Sequence, residues 1–178
     1  MPRRLLQAAA ALTLAHAASP AISDAPRGEI ASATLMHGNG FVAGTATIRM
    51  RGKQAVLDLS LSGVPSGMHG IHIHAVGQCD GPGAAFSAAG GHLNPSGAQH
   101  GAENPQGHHL GDLPNVFADS AGRIMTTVKL AGSAKEWREA LFDADGASLV
   151  LHAGPDDYRT DPSGNSGGRI ACGVLEKP

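Results

Sequence analysis

The chain has 178 residues, a formal net charge of −2, 25 glycines and only 3% aromatic residues. That length supports one domain with a real core, and mild acidity without a basic run argues against nucleic-acid binding. High glycine with few aromatics fits a β-rich domain with long loops better than a helical bundle.

Residues 1–17 read as a cleavable signal peptide. Arg3 and Arg4 give a basic start, 5–14 is a short apolar run, and Ala15 and Ala17 flank His16 where signal peptidase needs small residues. The run is too short to span a bilayer. No cysteine lies nearby to carry a lipid, so no membrane anchor is expected. Residues 18–28, rich in Ser, Pro, Ala and Asp, read as a flexible tail, and 29–178 as the domain.

Strand patterns run over 30–36 and 41–50, with His37 in a hairpin turn between them. In 54–62, Ala55, Leu57, Leu59 and Leu61 share one face. A fourth strand covers 68–76. Residues 77–113 have neither strand nor helix period, and a loop that long is usually functional. Strands resume at 115–119 and 123–130, and 134–141 predicts one or two helical turns. A strand at 147–153, a second long loop at 154–168 and a final strand at 168–175 complete the chain. Eight short strands, two long loops and no repeat predict an all-β fold, an antiparallel sandwich or barrel.

The histidines carry the chemistry. His72 and His74 are two apart on a strand, so both leave one face while Ile71 and Ile73 enter the core. His92, His100, His109 and Asp112 punctuate the long loop and offer three nitrogens and one oxygen, enough for a tetrahedral zinc site. A bound ion would organise a loop that has no apolar period of its own. His152 ends an apolar strand and can join His72 and His74. Six imidazoles and a carboxylate exceed the needs of one zinc and suit two adjacent ions sharing a ligand. His16, His37, His69 and His108 receive no metal role, His69 because strand parity turns it away from His72. Cys79 and Cys172 in an exported chain read as a disulfide, with two separate thiols as the alternative.

Four ordered segments resemble the copper-zinc superoxide dismutase family in its exported bacterial form. They are Gly67-Met68-His69-Gly70-Ile71-His72-Ile73-His74 running on to Cys79, Gly90-Gly91-His92-Leu93-Asn94-Pro95, His109 to Asn115, and Gly167-Gly168-Arg169-Ile170-Ala171-Cys172-Gly173-Val174. The resemblance implies an eight-stranded Greek-key barrel and one copper and one zinc ion per subunit. Copper would be held by His72, His74, His92 and His152, and zinc by His92, His100, His109 and Asp112. The shared His92 would pass a proton and Arg169 would attract the superoxide anion. Asp156, rather than the adjacent Asp157, would bridge a copper and a zinc histidine, and Cys79 and Cys172 would pair. A periplasmic protective role follows, as monomer or homodimer. The second long loop departs from the family in having no lysine, so steering roles do not transfer to Arg159 or Asp161. Rival readings are a copper carrier or inactive relative, and a zinc-stabilised interaction module.

Overall fold

The computed structural model describes Met1 and residues 28–80 and 85–178. The signal peptide expected at 1–17 and the tail up to residue 27 otherwise lie outside the described residues. Among the described residues the strands are β1 (Glu29–His37), β2 (Val42–Arg51), β3 (Gln54–Leu61), β4 (Gly67–His69), β5 (Ile71–His74), β6 (Val116–Ala118), β7 (Ile124–Leu130), β8 (Ser148–His152) and β9 (Arg169–Val174), with one α-helix, α1 (Ala134–Leu141), and a short 3-10 turn at Ser87–Ala89. Seven strands form one curled sheet in the order β5-β8-β9-β1-β2-β3-β7, and β4 pairs with β6. Every pairing is antiparallel. The all-β expectation holds.

Period-2 patterning decides which faces meet inside. Ala55, Leu57, Leu59 and Leu61 of β3 are all buried, as are Ala31, Ala33 and Leu35 of β1. They join Ile71, Ile73, Leu149 and Leu151 in one cluster. The helix forms its two turns because Ser133 and Glu136 build a reciprocal capping box at its start. It buries Trp137 and Leu141, and Trp137 Nε1 donates to Ala131 O at 2.7 Å.

The predicted strand at 68–76 is two strands, so among the described residues nine replace the expected eight. Alternation runs unbroken through the segment, but the chain changes partner at Gly70. β4 pairs with β6, whereas β5 pairs with β8. Between them Gly70 N donates to Gly154 O at 2.8 Å and Gly70 O accepts from His152 N at 2.9 Å.

The long loop after β5 is not structureless either. It lies along the free edge of β5, where Leu93 N donates to Ile73 O, Ile73 N to Gly111 O, and Gly111 N to Leu93 O, at 2.8, 3.0 and 2.9 Å. These bonds set His92 opposite His74 and Asp112 opposite His72. Gly111 permits the approach, because a Cβ there would stand 2.1 Å from Ile73 O. The Cys79–Cys172 disulfide ties the loop's start to β9 across a sequence separation of 93. In the chain-entropy account that contributes at most about 4–5 kcal/mol.

Gly111→Ala is expected to cost about 1–3 kcal/mol through overpacking. Amide hydrogen exchange should accelerate at Ile73 and Leu93, while β2 and β3 stay protected. Uniform exchange rates would mean that the loop does not depend on this contact.

Candidate metal centre

Three rings are fixed by strands. His72 and His74 project from the same face of β5, and His152 closes β8 beside them. The loop supplies His92, His100, His109 and Asp112. One ligand atom from each of His72, His74, His92 and His152 lies within 4.8 Å of the others, and the same holds for His92, His100, His109 and Asp112. His92 belongs to both groups. Its ring centroid is 4.0 Å from His72, 4.9 Å from His74, 5.1 Å from His100 and 5.4 Å from His109.

Hydrogen bonding fixes which nitrogen of each ring points where. His74 Nδ1 donates to Gly90 O at 2.9 Å and His152 Nδ1 to Gly167 O at 3.2 Å. His72 Nε2 donates to Asp156 Oδ2 at 2.6 Å, and His92 Nδ1 lies 2.8 Å from Asp112 Oδ1. Each acceptor is an oxygen without a proton, so each ring directs an N–H at it and keeps a lone pair on its other nitrogen. Those other nitrogens are His72 Nδ1, His74 Nε2, His92 Nε2 and His152 Nε2. All four are buried without a hydrogen-bond partner, and among the described residues only Ser148 Oγ joins them in that state. Buried polar atoms are rarely left unpaired. Four lone pairs converging on one point fit a cation such as copper.

The second group is arranged around one oxygen. Asp112 Oδ1 lies 2.8, 2.9 and 3.0 Å from Nδ1 of His92, His100 and His109. His92 Nδ1 and His109 Nδ1 are 3.4 Å apart. Three ring nitrogens thus crowd a single carboxylate oxygen, at spacings close to the roughly 3.3 Å that separates the ligands of a tetrahedral zinc. The donor set and its spacing therefore fit zinc. The other oxygen, Asp112 Oδ2, accepts from the Gly101 and His109 backbone amides, both at 2.9 Å.

Electrostatics keep the first group ready to bind. Burial pushes His74 down to about 2, with the neighbouring His92 adding to the effect. Burial likewise pushes His92 and His152 down to about 4 and lowers His72. Neutral imidazole is the form that binds metal. His100 moves the other way. Burial opposes its charge, but bonds to Asp112 and Asp156 outweigh burial and push it up to about 9. Burial alone would raise Asp112 and Asp156; the bonds from His100 and from His92 or His72 hold both below the usual carboxylate range.

Asp156 joins the two groups from behind. Oδ2 meets His72 Nε2 and Oδ1 meets His100 Nε2 at 3.0 Å. Asp157 instead is exposed and receives amides of its own loop. Arg169 is half-buried at the start of β9, donating Nη1–H to Phe86 O at 2.6 Å and Nη2–H to Gly90 O at 2.5 Å. With His74, His92 and His152 it lines a cleft of about 420 Å³.

Four residues acquire positions that their spacing in the chain does not reveal. His69 is buried, its ring nitrogens 2.8 Å from His152 O and 2.7 Å from Pro65 O. Asn115 grips the Asp156 backbone from both sides, and Tyr158 Oη accepts from Asn115 N at 2.7 Å. Asp161 Oδ1 accepts from His100 N at 2.7 Å. Asn115 closes one of the sequence segments singled out above; Tyr158 carries no comparable signal. His37 bonds Ser62 O at 2.9 Å and His108 is exposed. Neither joins a metal-sized group among the described residues, and His16 lies outside them.

A sequence profile for copper/zinc superoxide dismutase (SODC) matches residues 42–175. The copper-zinc superoxide dismutase 2 of Aquifex aeolicus is 40% identical over 148 residues, covering 82% of this chain and 85% of that protein. The copper-zinc superoxide dismutase of Caulobacter vibrioides is 40% identical over 154 residues, with coverage of 82% and 85%. The crystal structure of a SOD-like protein from Bacillus subtilis superposes with a TM-score of 0.71 at 34% identity, covering 82% of this chain and 97% of that one.

Asp156→Asn tests the link between the groups. An amide NH2 facing His72 or His100 would oppose the ring N–H, and if His72 moved its proton to Nδ1 it would lose the lone pair aimed at the cluster. Metal affinity should fall about 10–100-fold by chelator competition. Unchanged affinity would make Asp156 a bystander.

Proposed function

Because the chain belongs to the copper/zinc superoxide dismutase family and is a superoxide dismutase, we propose that its two histidine groups divide the metals. His72, His74, His92 and His152 hold copper, and His92, His100, His109 and Asp112 hold zinc, one ion of each per subunit. The observation that carries this reading is the set of four buried ring nitrogens without partners. Bound copper supplies the alternating one-electron chemistry that dismutation needs, and zinc, which keeps its oxidation state, supplies fixed charge at the His92 ring.

The net reaction consumes two superoxide anions and two protons and yields one dioxygen and one hydrogen peroxide. The chain's own residues handle the anion and the proton. Arg169 receives the anion: its guanidinium stays charged, and two carbonyls, Phe86 O and Gly90 O, fix its plane at the cleft. His92 Nε2, at the cleft, takes up a proton and returns it to the reduced anion, while Nδ1 stays engaged on the side of Asp112. Asp156 holds the rings of His72 and His100 in orientation. Solvent water supplies the second proton.

The role extends to the cell envelope. Residues 1–17 direct export and are removed, and the enzyme protects the periplasm from superoxide formed outside the cytoplasm. Among the described residues no helix is long and apolar enough to cross a membrane. Mass spectrometry of the periplasmic fraction should return a chain beginning near residue 18; a full-length cytoplasmic chain would refute export.

Protein loaded with copper and zinc should consume superoxide rapidly, and copper removal should abolish the activity. Background activity at full copper occupancy would instead favour a metal carrier. Arg169→Ala should lower kcat/KM about 10–100-fold, the worth of a hydrogen bond to a charged group, without loss of metal. A smaller change would remove Arg169 from the anion site.

A further inference from the structure

Among the described residues, the cleft that exposes His74, His92 and His152 is lined by just two side chains with fixed charge, Arg169 and Asp161. Arg159, the cation of the loop between β8 and β9, is paired with Glu103 and does not line the cleft. The mouth thus carries one charge of each sign. Strong steering of an anion instead needs a cleft lined by a single sign. Asp161 is exposed at the rim, and its Oδ1 is pinned by the His100 amide at 2.7 Å. Its carboxylate therefore holds a fixed place on the lining of the cleft that it shares with Arg169.

We propose that Asp161 is a specificity-determining residue, a charge filter that admits monoanions such as superoxide in preference to dianions such as hydrogen phosphate. Coulomb energy scales with the product of the charges, so the barrier Asp161 raises against a dianion is twice that against a monoanion. In population terms the dianion is excluded by the square of the monoanion factor. A carboxylate at the mouth slows the substrate a little and competing polyvalent anions much more. Arg169, which would attract both, is thereby kept available for the monoanion.

The filter rests on the reading of this cleft as the superoxide site. Asp161→Asn removes the charge and keeps an amide oxygen for the His100 N–H. With the copper- and zinc-loaded enzyme at low ionic strength, the second-order rate with superoxide should rise about 2–3-fold. Azide, a monoanion read by the visible absorption of the copper, should bind about 2–3-fold more tightly, and hydrogen phosphate at pH 8 about 4–9-fold more tightly. All the gains should collapse near 0.5 M salt. Equal gains for azide and phosphate, gains that survive high salt, or no gain would overturn the proposal. Asp145→Asn makes the same change in net charge at an exposed residue outside the cleft lining, and a matching gain there would also overturn it. Should Asp161→Asn fail to fold, Ser163→Lys adds the opposite charge on the same lining. It should show the same square relation, and equal factors would again be fatal. Wild-type enzyme that is inactive with both metals bound would defeat the reading of the cleft itself. Active wild type with charge-independent variants would defeat only the filter.

Discussion

The His92 ring is committed in two directions at once, and the site is organised around that fact. Nδ1 faces Asp112 and the rings of His100 and His109, while Nε2 faces His72, His74 and His152. A rigid five-membered ring fixes the angle between its two nitrogens, so the two groups cannot move independently. The ring can occupy that place only because the loop carrying it is bonded to the edge of β5. Leu93 N reaches Ile73 O, Ala75 N reaches Gly91 O, and His74 stands opposite His92. The backbone of an edge strand, usually a liability, here aligns a loop that has no apolar period.

The two buried carboxylates perform different tasks with the same economy of lone pairs. Asp112 gives Oδ1 to the ring nitrogens and Oδ2 to two backbone amides, so it is held by the loop it serves. Asp156 comes from the other loop and splits its oxygens between the far nitrogens of His72 and His100, one ring from each group. The first carboxylate lies among the three rings of its own loop. The second fixes tautomers, which decides where the lone pairs point. Burial complements both by keeping His72, His74, His92 and His152 neutral.

What the sequence disclosed follows from how each feature is encoded. The shared face of His72 and His74 is a direct consequence of strand parity, and Ile71 and Ile73 between them join the hydrophobic cluster. The one or two helical turns expected at 134–141 are the two turns of α1, and the structure adds the cap that starts them, Ser133 with Glu136. The break at Gly70 is not written in side-chain alternation, because a change of hydrogen-bond partner leaves the hydrophobic pattern intact. Parity turns His69 away from His72 and it joins no metal-sized group among the described residues, but parity does not show that the ring sits in the buried junction between β4 and the end of β8. The bonding of the long loop to β5 escaped notice similarly, since it uses main-chain groups common to every residue. The six histidines and Asp112 were legible as a set through their motif spacing. Asn115 and Tyr158 were not legible in their roles, because each acts through a contact with a remote part of the chain.

Those remote contacts explain how two loops without apolar cores hold a site with narrow tolerances. Asp157 gathers the second loop by accepting from Arg159 N, Thr160 N, Thr160 Oγ1 and Asn165 Nδ2. Tyr158 then ties that loop to the first. Its carbonyl accepts from Glu103 N at 3.0 Å, its hydroxyl accepts from Asn115 N, and Gly101 approaches so closely that a Cβ would lie 2.1 Å from the carbonyl oxygen. A single neutral hydrogen bond contributes about 0.5–1.5 kcal/mol, but these bonds share residues and therefore order one another. Strands fix three rings and the loop network fixes the rest. The barrel supplies rigidity where His72, His74, His152 and Arg169 are anchored, and the polar network carries it across to His100 and His109. A disturbance at the Tyr158–Gly101 contact is therefore transmitted to both ligand groups, because Asp156 lies two residues from Tyr158 and takes its amide hydrogen bond at 2.6 Å.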